Sequence, residues 1–131
     1  MSDSGAVVVL IGAPGAGKTR TGKRVAKLLD VPIIDTDKRI VAAHGPIADI
    51  FATYGEPYFR ALERAEVVRA LGERAVVTLG GGAVLDEATQ ADLAHHRVVQ
   101  LTVAPDAVEA RIAELEAALE ENFAWRYIKM S

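Results

Sequence analysis

The sequence predicts an α/β protein built on a parallel β-sheet, and three observations support this class. Short apolar runs alternate along the chain with helical patterns, which is typical of successive β-α-β units. The first run, Ala6–Ile11, is apolar at every position, as expected for a strand that is buried on both faces. Every polar or glycine-rich cluster follows the end of a predicted strand, where open α/β sheets bind their ligands.

Length and composition narrow the classes of protein further. A chain of 131 residues is long enough for one domain with a hydrophobic core. The net charge of −3 argues against a protein that wraps nucleic acid or binds an anionic membrane. The absence of cysteine excludes disulfides and thiolate metal sites. The first apolar run is too short for a signal peptide or a membrane span, so we expect a cytoplasmic protein.

The strongest motif is the segment Gly12–Thr19, which reads GAPGAGKT and matches the phosphate-binding P-loop pattern G-x-x-x-x-G-K-[ST]. It lies between a predicted strand and a predicted helix, which is the context this motif requires. Glycines let backbone N–H groups turn toward anionic oxygens, and the helix N-terminus adds positive potential. We expect Lys18 to reach the β- and γ-phosphates of a nucleotide and the Thr19 hydroxyl to bind Mg²⁺. A glycine turn without a ligand is the alternative, which this context disfavours.

The other elements follow in order along the chain. The further predicted strands are Pro32–Ile34, Ala75–Leu79 and Arg97–Val103. The predicted helices are Arg20–Leu29, a helix from Thr36 or Asp37 to Ala43, Ile47–Thr53, Glu56–Ala70, Asp86–His95 and Asp106–Glu121. Proline, glycine and capping residues set these limits: for example, Pro32 ends the first helix and Asp86 caps the fifth.

Apolar spacing predicts which helix faces are buried, and it leaves the last segment open. The first helix would bury Val25, Leu28 and Leu29, and the fourth would bury Phe59, Leu62, Ala65 and Val68. The segment 123–130 is aromatic and partly alternating. It could be a fifth strand at the sheet edge or a continuation of the last helix, and periodicity does not decide between them.

Two clusters that follow predicted strands are candidates for binding a second substrate. Asp35 and Asp37 alternate across an extended segment, so one carboxylate could hold the water of Mg²⁺ while the other orients and deprotonates a hydroxyl acceptor. Either aspartate could instead only cap the following helix. The run Gly80–Gly82 could let backbone amides approach an anionic ligand, or it could be a loose turn.

Arg60 and Glu63 lie three residues apart on a predicted helix. They could pair on a solvated face, and composition alone favours this interpretation. Beside a pocket, Arg60 could instead make a bidentate contact with a carboxylate. The three histidines, His44, His95 and His96, show no metal-ligand spacing, and we interpret them as surface residues.

Four segments together resemble the shikimate kinases in their order and spacing. They are Gly12–Thr19, Asp35–Asp37, Ile47–Arg60 and Leu79–Val84. Three of them belong to the acceptor side in that family, so the set is far more specific than a P-loop alone. The resemblance implies a P-loop three-layer α/β/α fold with a parallel sheet of four to five strands. It also implies transfer of the γ-phosphoryl group of ATP to the 3-hydroxyl of shikimate, in aromatic amino-acid biosynthesis, with Mg²⁺ as metal cofactor.

The resemblance implies a role for each matching residue. Lys18 and Asp37 would be the catalytic residues, with Asp37 binding shikimate hydroxyls, and Thr19 and Asp35 would serve the metal. Arg60 would clamp the shikimate carboxylate, which reverses the preference from composition. The implied ATP-binding residues are Gly12, Ala13, Pro14, Gly15, Ala16, Gly17, Lys18, Thr19, Thr21 and Arg111. The implied substrate-binding residues are Asp37, Arg60, Gly80, Gly81, Gly82, Phe51 and Phe59.

The chain departs from the family after Arg111. The family continues there into a mobile lid with the motif Arg-Pro-Leu-Leu, which this sequence lacks. We therefore expect a kinase-like core over residues 1–112 and an atypical C-terminal helix and aromatic tail over 113–131, within one domain. Lid closure excludes water and brings positive charge to the phosphoryl group, so turnover should be weak or lost. The alternative is an inactive nucleotide-binding module, or a truncated or engineered core, that self-associates through the tail, whereas family members are monomers.

Overall fold

The computed structural model describes residues 5–13 and 16–101 with their side chains, and residues 127–130 as backbone. The strands are β1 (Val8–Ile11), β2 (Ile33–Asp35), β3 (Val76–Thr78), β4 (Val98–Leu101) and β5 (Tyr127–Met130). The helices are α1 (Lys18–Leu29), α2 (Thr36–His44), α3 (Ile47–Tyr54), α4 (Glu56–Leu71) and α5 (Glu87–Leu93), and a 3₁₀ turn covers Ala83–Leu85. None of the helices in this described part is long and apolar enough to cross a membrane.

The five strands form one parallel sheet in the order β2-β3-β1-β4-β5. The central strand β1 pairs through Val9 with Val77 of β3 on one side and with Val98 of β4 on the other. Because the strands are parallel, the carboxyl ends of β1, β2 and β3 meet at one edge of the sheet. The prediction of a parallel sheet of four to five strands is confirmed, with five strands present.

The C-terminal segment contributes the strand that periodicity left undecided. Tyr127–Met130 pairs in parallel with β4, with Val98 opposite Tyr127 and Leu101 opposite Met130. The strand alternative is therefore correct for these four residues, and β5 occupies the sheet edge. The predicted helix over 106–121, and Arg111 within it, lie outside the described residues.

Helices cover both faces of the sheet, which produces the three predicted layers. The core under α1 consists of Val8, Leu10, Val25, Ala26, Val76, Val99 and Leu101. The core under α4 and α5 contains Val9, Ile11, Ile34, Val67, Ala70, Leu71, Ala75, Val77, Leu79, Ala83, Leu93 and Val98. Alternate residues of β1 belong to opposite cores, as the pleat of a strand requires. A third cluster, Ile40, Ile50 and Phe59, joins α2, α3 and α4.

The structure corrects the predicted inner face of α1. Val25 is buried as predicted, and Leu29 packs partly buried against the same core, but Leu28 is 50% exposed and Ala26 is buried in its place. The helix approaches the sheet closely at Gly22, where a Cβ atom would lie 2.6 Å from Ile33 Cδ1. Small residues at the contact let the helix backbone sit near the strands, so the larger Leu28 points away.

Helix α4 also buries a different face from the predicted one. Phe59 is buried as predicted, but Ala65 is exposed and Val68 is 53% exposed. Two carboxylates, Glu63 and Glu66, are buried instead, with 5% and 6% of their surface exposed. Buried charges are tolerated only when paired, and apolar periodicity cannot detect a partner that tertiary packing supplies.

The caps of two helices settle the role of the acidic residues beside them. Asp86 accepts a hydrogen bond of 3.0 Å from the backbone N–H of the third residue of α5, as predicted. For α2, the prediction of Thr36 or Asp37 as the cap is wrong. Asp35 is the last extended residue of β2, and its carboxylate accepts the N–H of Lys38 at 3.1 Å. Asp37 is therefore free of the capping role.

Candidate active site

The P-loop follows β1 and leads directly into α1. Gly12 has φ of +151° and Gly17 has φ of +93°, conformations that L side chains rarely adopt. A Cβ atom on Gly12 would also lie only 2.6 Å from the Leu101 carbonyl oxygen. Helix α1 has no side-chain cap and no acidic residue in its first turn. Its first N–H groups therefore point toward the loop without a competing carboxylate, which suits an anion.

Lys18 lies at the start of α1 and bends back over the loop. Its Nζ donates to the carbonyl oxygen of Gly12 and lies 3.4 Å from that of Ala13. Burial lowers the pKa of Lys18, and the carboxylates of Asp37 and Asp35 partly offset this effect. The ammonium group thus lies between the phosphate loop and the two aspartates that follow β2.

A cavity of about 760 Å³ opens at the carboxyl ends of the strands, a size suited to small-molecule ligands. Its lining residues are Ala13, Gly17, Lys18, Thr19, Arg20, Asp35, Asp37, Lys38, Val41, Ala42, Thr78, Leu79, Gly80 and Gly81. Members of the predicted phosphate-binding, metal-binding and acceptor sets thus line one space. The structure brings together the P-loop, the two aspartates and the first two glycines of the glycine run.

Asp37 lines this cavity with a partly buried carboxylate. Burial and the nearby Asp35 raise the pKa of Asp37, while Lys18 and Arg60 act in the opposite direction. Its Oδ1 is buried and has no hydrogen-bond partner among the described residues. The carboxylate lies against Gly80, where a Cβ atom would come within 2.5 Å of Oδ1. An unpaired buried carboxylate oxygen is well suited to accept a hydrogen bond from a ligand hydroxyl.

Thr19 and Asp35 offer oxygen donors on the same cavity. Within residues 5–13 and 16–101, no group of three or more His, Cys, Asp or Glu side chains could hold a metal ion. Mg²⁺ in nucleotide sites uses one or two protein oxygens, and phosphates and waters complete its coordination. One hydroxyl and one carboxylate therefore fit Mg²⁺ that arrives with a nucleotide, rather than a metal held by protein alone.

The histidines take no part in this site. His44 and His95 are exposed, as predicted, whereas His96 is partly buried. The Nδ1 atom of His96 lies 3.0 Å from the Asp92 carbonyl oxygen.

Arg60 lies beyond the glycine run in a second, smaller cavity of about 250 Å³. Its guanidinium contacts Glu63 at 2.8 Å and Glu56 at 3.3 Å, and it lies over the Phe59 ring. A Cβ atom on Gly82 would lie 2.5 Å from Arg60 Nη1. The i,i+3 pair with Glu63 therefore exists, but it is not a solvated pair, because Glu63 is buried.

Burial raises the pKa of Glu63, and the hydrogen bond from Arg60 counteracts this rise. Arg60 remains about one-third exposed at its side chain and electrostatically coupled to Asp37. Asp37 and Arg60 thus flank the glycine run, one against Gly80 and the other against Gly82. The two predicted acceptor-binding charges lie close together although they line different cavities.

Several predicted site residues do not line either cavity. Phe51 and Phe59 pack against each other with ring centroids 5.0 Å apart and ring planes tilted by 36°, as part of the cluster beneath Arg60. Thr21 is fully buried, and its Oγ1 has no partner among the described residues. Gly12 and Ala16 shape the loop rather than line the larger cavity. The remaining three, Pro14, Gly15 and Arg111, lie outside the described residues.

Sequence reasoning missed two cationic residues that line the larger cavity, Arg20 and Lys38. Each directly follows a residue of a recognised motif: Arg20 follows Thr19, and Lys38 follows Asp37. Their position next to the motifs was the signal that could have identified them. It was missed because a charged residue on a predicted helix is usually assigned to the solvent-exposed face.

This fold and site define a P-loop α/β protein with two aspartates in the cavity beside the loop. The chain belongs to the shikimate kinase family, because the family model described as shikimate kinase matches residues 14–124. A shikimate kinase of Thermobifida fusca is 54% identical over 99 residues, which are 74% of this chain and 58% of that protein. One of Salinispora tropica is 54% identical over 105 residues, covering 78% of this chain and 63% of that protein. The chain thus spans less than two thirds of the length of these relatives.

Solved structures agree with this assignment. The shikimate kinase of Bacteroides thetaiotaomicron aligns with a TM-score of 0.69 at 30% identity, covering 88% of this chain and 78% of that one. The Acinetobacter baumannii shikimate kinase, solved in complex with shikimate, aligns with a TM-score of 0.74 at 24% identity. That alignment covers 98% of this chain and 84% of that one, and it supports the fold.

Proposed function

We propose that this chain binds ATP and shikimate and transfers the γ-phosphoryl group of ATP to the 3-hydroxyl of shikimate. The observation that carries the proposal is the meeting of Lys18 and Asp37 in one cavity, between the P-loop and the glycine run. A cation that faces phosphates and a carboxylate that faces a hydroxyl are the two groups that phosphoryl transfer to an alcohol requires.

The nucleotide half of the site rests on the loop and on α1. Backbone N–H groups at the start of α1 would hold the phosphate oxygens, and Lys18 would move from its carbonyl contacts to the β- and γ-phosphates. Thr19 and Asp35 would hold Mg²⁺, and the metal would supply positive charge beside the phosphates. ATP is the nucleotide of the family, and the use of Mg²⁺ is part of the proposal.

The acceptor half rests on the two charges that flank the glycine run. Asp37 would accept a hydrogen bond from the shikimate hydroxyl, orient its oxygen and take its proton. The new bond joins that oxygen to the γ-phosphorus, the bond from phosphorus to the β,γ-bridging oxygen breaks, and ADP leaves. A carboxylate with a raised pKa is the stronger base for this proton.

Arg60 would orient the acceptor through the shikimate carboxylate. Its guanidinium is positioned by Glu63 and Glu56 and is partly exposed in the smaller cavity. A bidentate contact to a carboxylate is the geometry that guanidinium favours. The close contact with Gly82 places this group next to the glycine run that also contacts Asp37.

The same proposal covers location and domain organisation. The protein acts in the cytoplasm. Residues 1–112 form the kinase-like core, and residues 113–131 complete the same domain. If copies of the chain associate through the tail, β5, the last strand of the described sheet, is the strand that would pair. Sedimentation analysis distinguishes such a dimer from the monomer that the family leads us to expect.

A coupled assay tests the function directly. ADP release is measured with ATP and Mg²⁺, with and without shikimate, and the phosphorylated product is identified by ³¹P NMR. The proposal predicts ADP release that depends on shikimate and a new phosphate-ester signal. If ADP release is the same with and without shikimate, and calorimetry still detects ADP binding, the chain is a nucleotide-binding module instead.

A further inference from the structure

A buried carboxylate outside the site links two helices that carry acceptor-site charges. Glu66 of α4 is 6% exposed. Its Oε2 lies 3.4 Å from Nη1 of Arg39 on α2, and its Oε1 lies 3.1 Å from Nη1 of Arg69 on its own helix. A buried carboxylate is costly unless it is paired, so these two arginines account for its presence in the protein.

Arg39 makes a second, shorter contact just beyond the C-terminal end of α4. Its Nη1 and Nη2 lie 2.7 Å and 3.2 Å from the two carboxylate oxygens of Glu73, just beyond the end of the helix. This is the bidentate geometry that guanidinium forms best. The same contact lowers the pKa of Glu73 and raises that of Arg39. Arg39 therefore joins α2 to two points on the α4 segment.

Apolar packing does not close the space between these helices. A cavity of about 360 Å³ lies there, and Arg39, Glu66 and Arg69 are among its lining residues. The apolar contact between α2 and α4 is made at the border of this cavity, where Ile40 belongs to one cluster with Phe59. On the cavity side, charge pairing rather than close packing holds the distance between the helices.

The same two helices carry the acceptor-site charges. Asp37 lies in the first turn of α2, two residues before Arg39, and Arg60 lies in α4, six residues before Glu66. We propose that Arg39, through Glu66 and Glu73, is a positioning residue that holds Asp37 and Arg60 at the spacing an acceptor requires. This inference rests on the proposed function and adds a residue remote from the substrate.

The double variant Arg39→Gln with Glu66→Gln removes the ion pair between α2 and the buried Glu66. It also neutralises Glu66, so no buried carboxylate is left without a cation, and we expect the protein to fold. We expect the KM for shikimate to rise about tenfold, because a small displacement of positioning groups has large kinetic effects. The KM for ATP should stay within about twofold of the parent value, because the P-loop lies on β1 and α1. Arg39→Lys keeps the positive charge but loses the bidentate geometry. Its KM for shikimate should therefore lie between the values of the parent and the double variant.

Arg69→Gln is the matched control. It removes the other guanidinium from Glu66, but Arg69 belongs to α4 and does not join it to α2. We expect both KM values to stay at the parent level in this variant. An equal rise of the shikimate KM in both variants, or an equal rise of both KM values in the double variant, would overturn the inference.

Amide hydrogen exchange gives a readout that does not require turnover. In the protein without ligands, residues 36–44 should exchange faster in the double variant than in the parent or in Arg69→Gln, with residues 21–29 of α1 as the internal reference. If the parent fails to phosphorylate shikimate, the proposed function fails, and unchanged exchange over 36–44 then separately overturns the positioning role.

Discussion

The carboxylate of Asp37 rests directly against Gly80, and the contact leaves no room for any other residue at that position. A Cβ atom there would lie 2.5 Å from Oδ1 and 2.7 Å from Oδ2 of Asp37. Gly82 stands in the same relation to the guanidinium of Arg60. The glycine run is therefore required mainly for space: it accommodates two charged side chains from α2 and α4 at the edge of the sheet.

Gly80→Ala should lower kcat for the proposed reaction by about 100-fold, the scale of effect that a displacement of about 1 Å produces. Asp37 has a short side chain at the start of a helix, so it cannot withdraw easily from the new methyl group. Gly82→Ala should act mainly on the KM for shikimate and more weakly, because the long Arg60 side chain can move aside. Gly72→Ala is the control, since its Cβ atom would lie 3.5 Å from Arg69 O, an ordinary van der Waals distance. Steady-state kinetics in which Gly80→Ala matches this control would contradict the steric argument.

Asp37→Asn should lower kcat by about 10² to 10⁴-fold, because it removes the proposed acceptor of the hydroxyl proton. The measurement is the coupled assay at saturating ATP and shikimate, with ADP affinity as a check that the nucleotide half is intact. A variant that retains full turnover would show that Asp37 does not take the proton.

The same substitution should raise stability at neutral pH. The folded-state pKa of Asp37 lies above its ordinary value, so the folded protein binds the proton more tightly than the unfolded chain. The free energy of unfolding therefore falls as pH rises from the unfolded to the folded pKa, and the penalty is fully present above the folded pKa. Asp37→Asn should have a higher Tm than the parent at pH 7.5, and the difference should vanish below about pH 3. A lower Tm at pH 7.5, measured by calorimetry, would refute this.

Lys18→Met should weaken ADP binding by about 10- to 100-fold, the range expected for a charge-assisted contact to phosphate. Lys23→Met removes an exposed charge from the same helix and serves as the control, with affinity expected to remain at the parent level. Calorimetric titration with ADP and Mg²⁺ makes the comparison. Equal affinities in the two variants would mean that Lys18 does not contact the phosphates.

Arg60→Met should destabilise the fold by about 1–3 kcal/mol, because it leaves the buried Glu63 carboxylate without its nearest cation. The partial exposure of Arg60 keeps the effect below that of a fully buried pair. The double variant Arg60→Met with Glu63→Gln should recover most of the stability in urea unfolding while shikimate binding stays lost. Recovery of shikimate binding in the double variant would show that Arg60 does not hold the acceptor.

Local signals in the sequence were sufficient to predict the first strand, the phosphate loop and the start of α5. The apolar run of β1, the P-loop pattern and the cap at Asp86 each depend on neighbours within a few residues, and each was found where predicted. The inner faces of α1 and α4 were predicted less well. Glu63 and Glu66 are buried because arginines meet them in the folded chain, which apolar spacing cannot reveal.

The sequence by itself determined a parallel α/β fold, a phosphate loop after the first strand, and aspartates and glycines after the next strands. These features follow from local chemistry, because strand burial, glycine conformation and helix starts depend on nearby residues. Only the tertiary structure decided that Asp35 is the cap while the buried Oδ1 of Asp37 has no hydrogen-bond partner among the described residues, and that 127–130 is a strand. It also decided that Asp37 lies against Gly80 and Arg60 against Gly82. These contacts join residues more than 20 positions apart, so they arise only when the crossover connections bring the strand ends together.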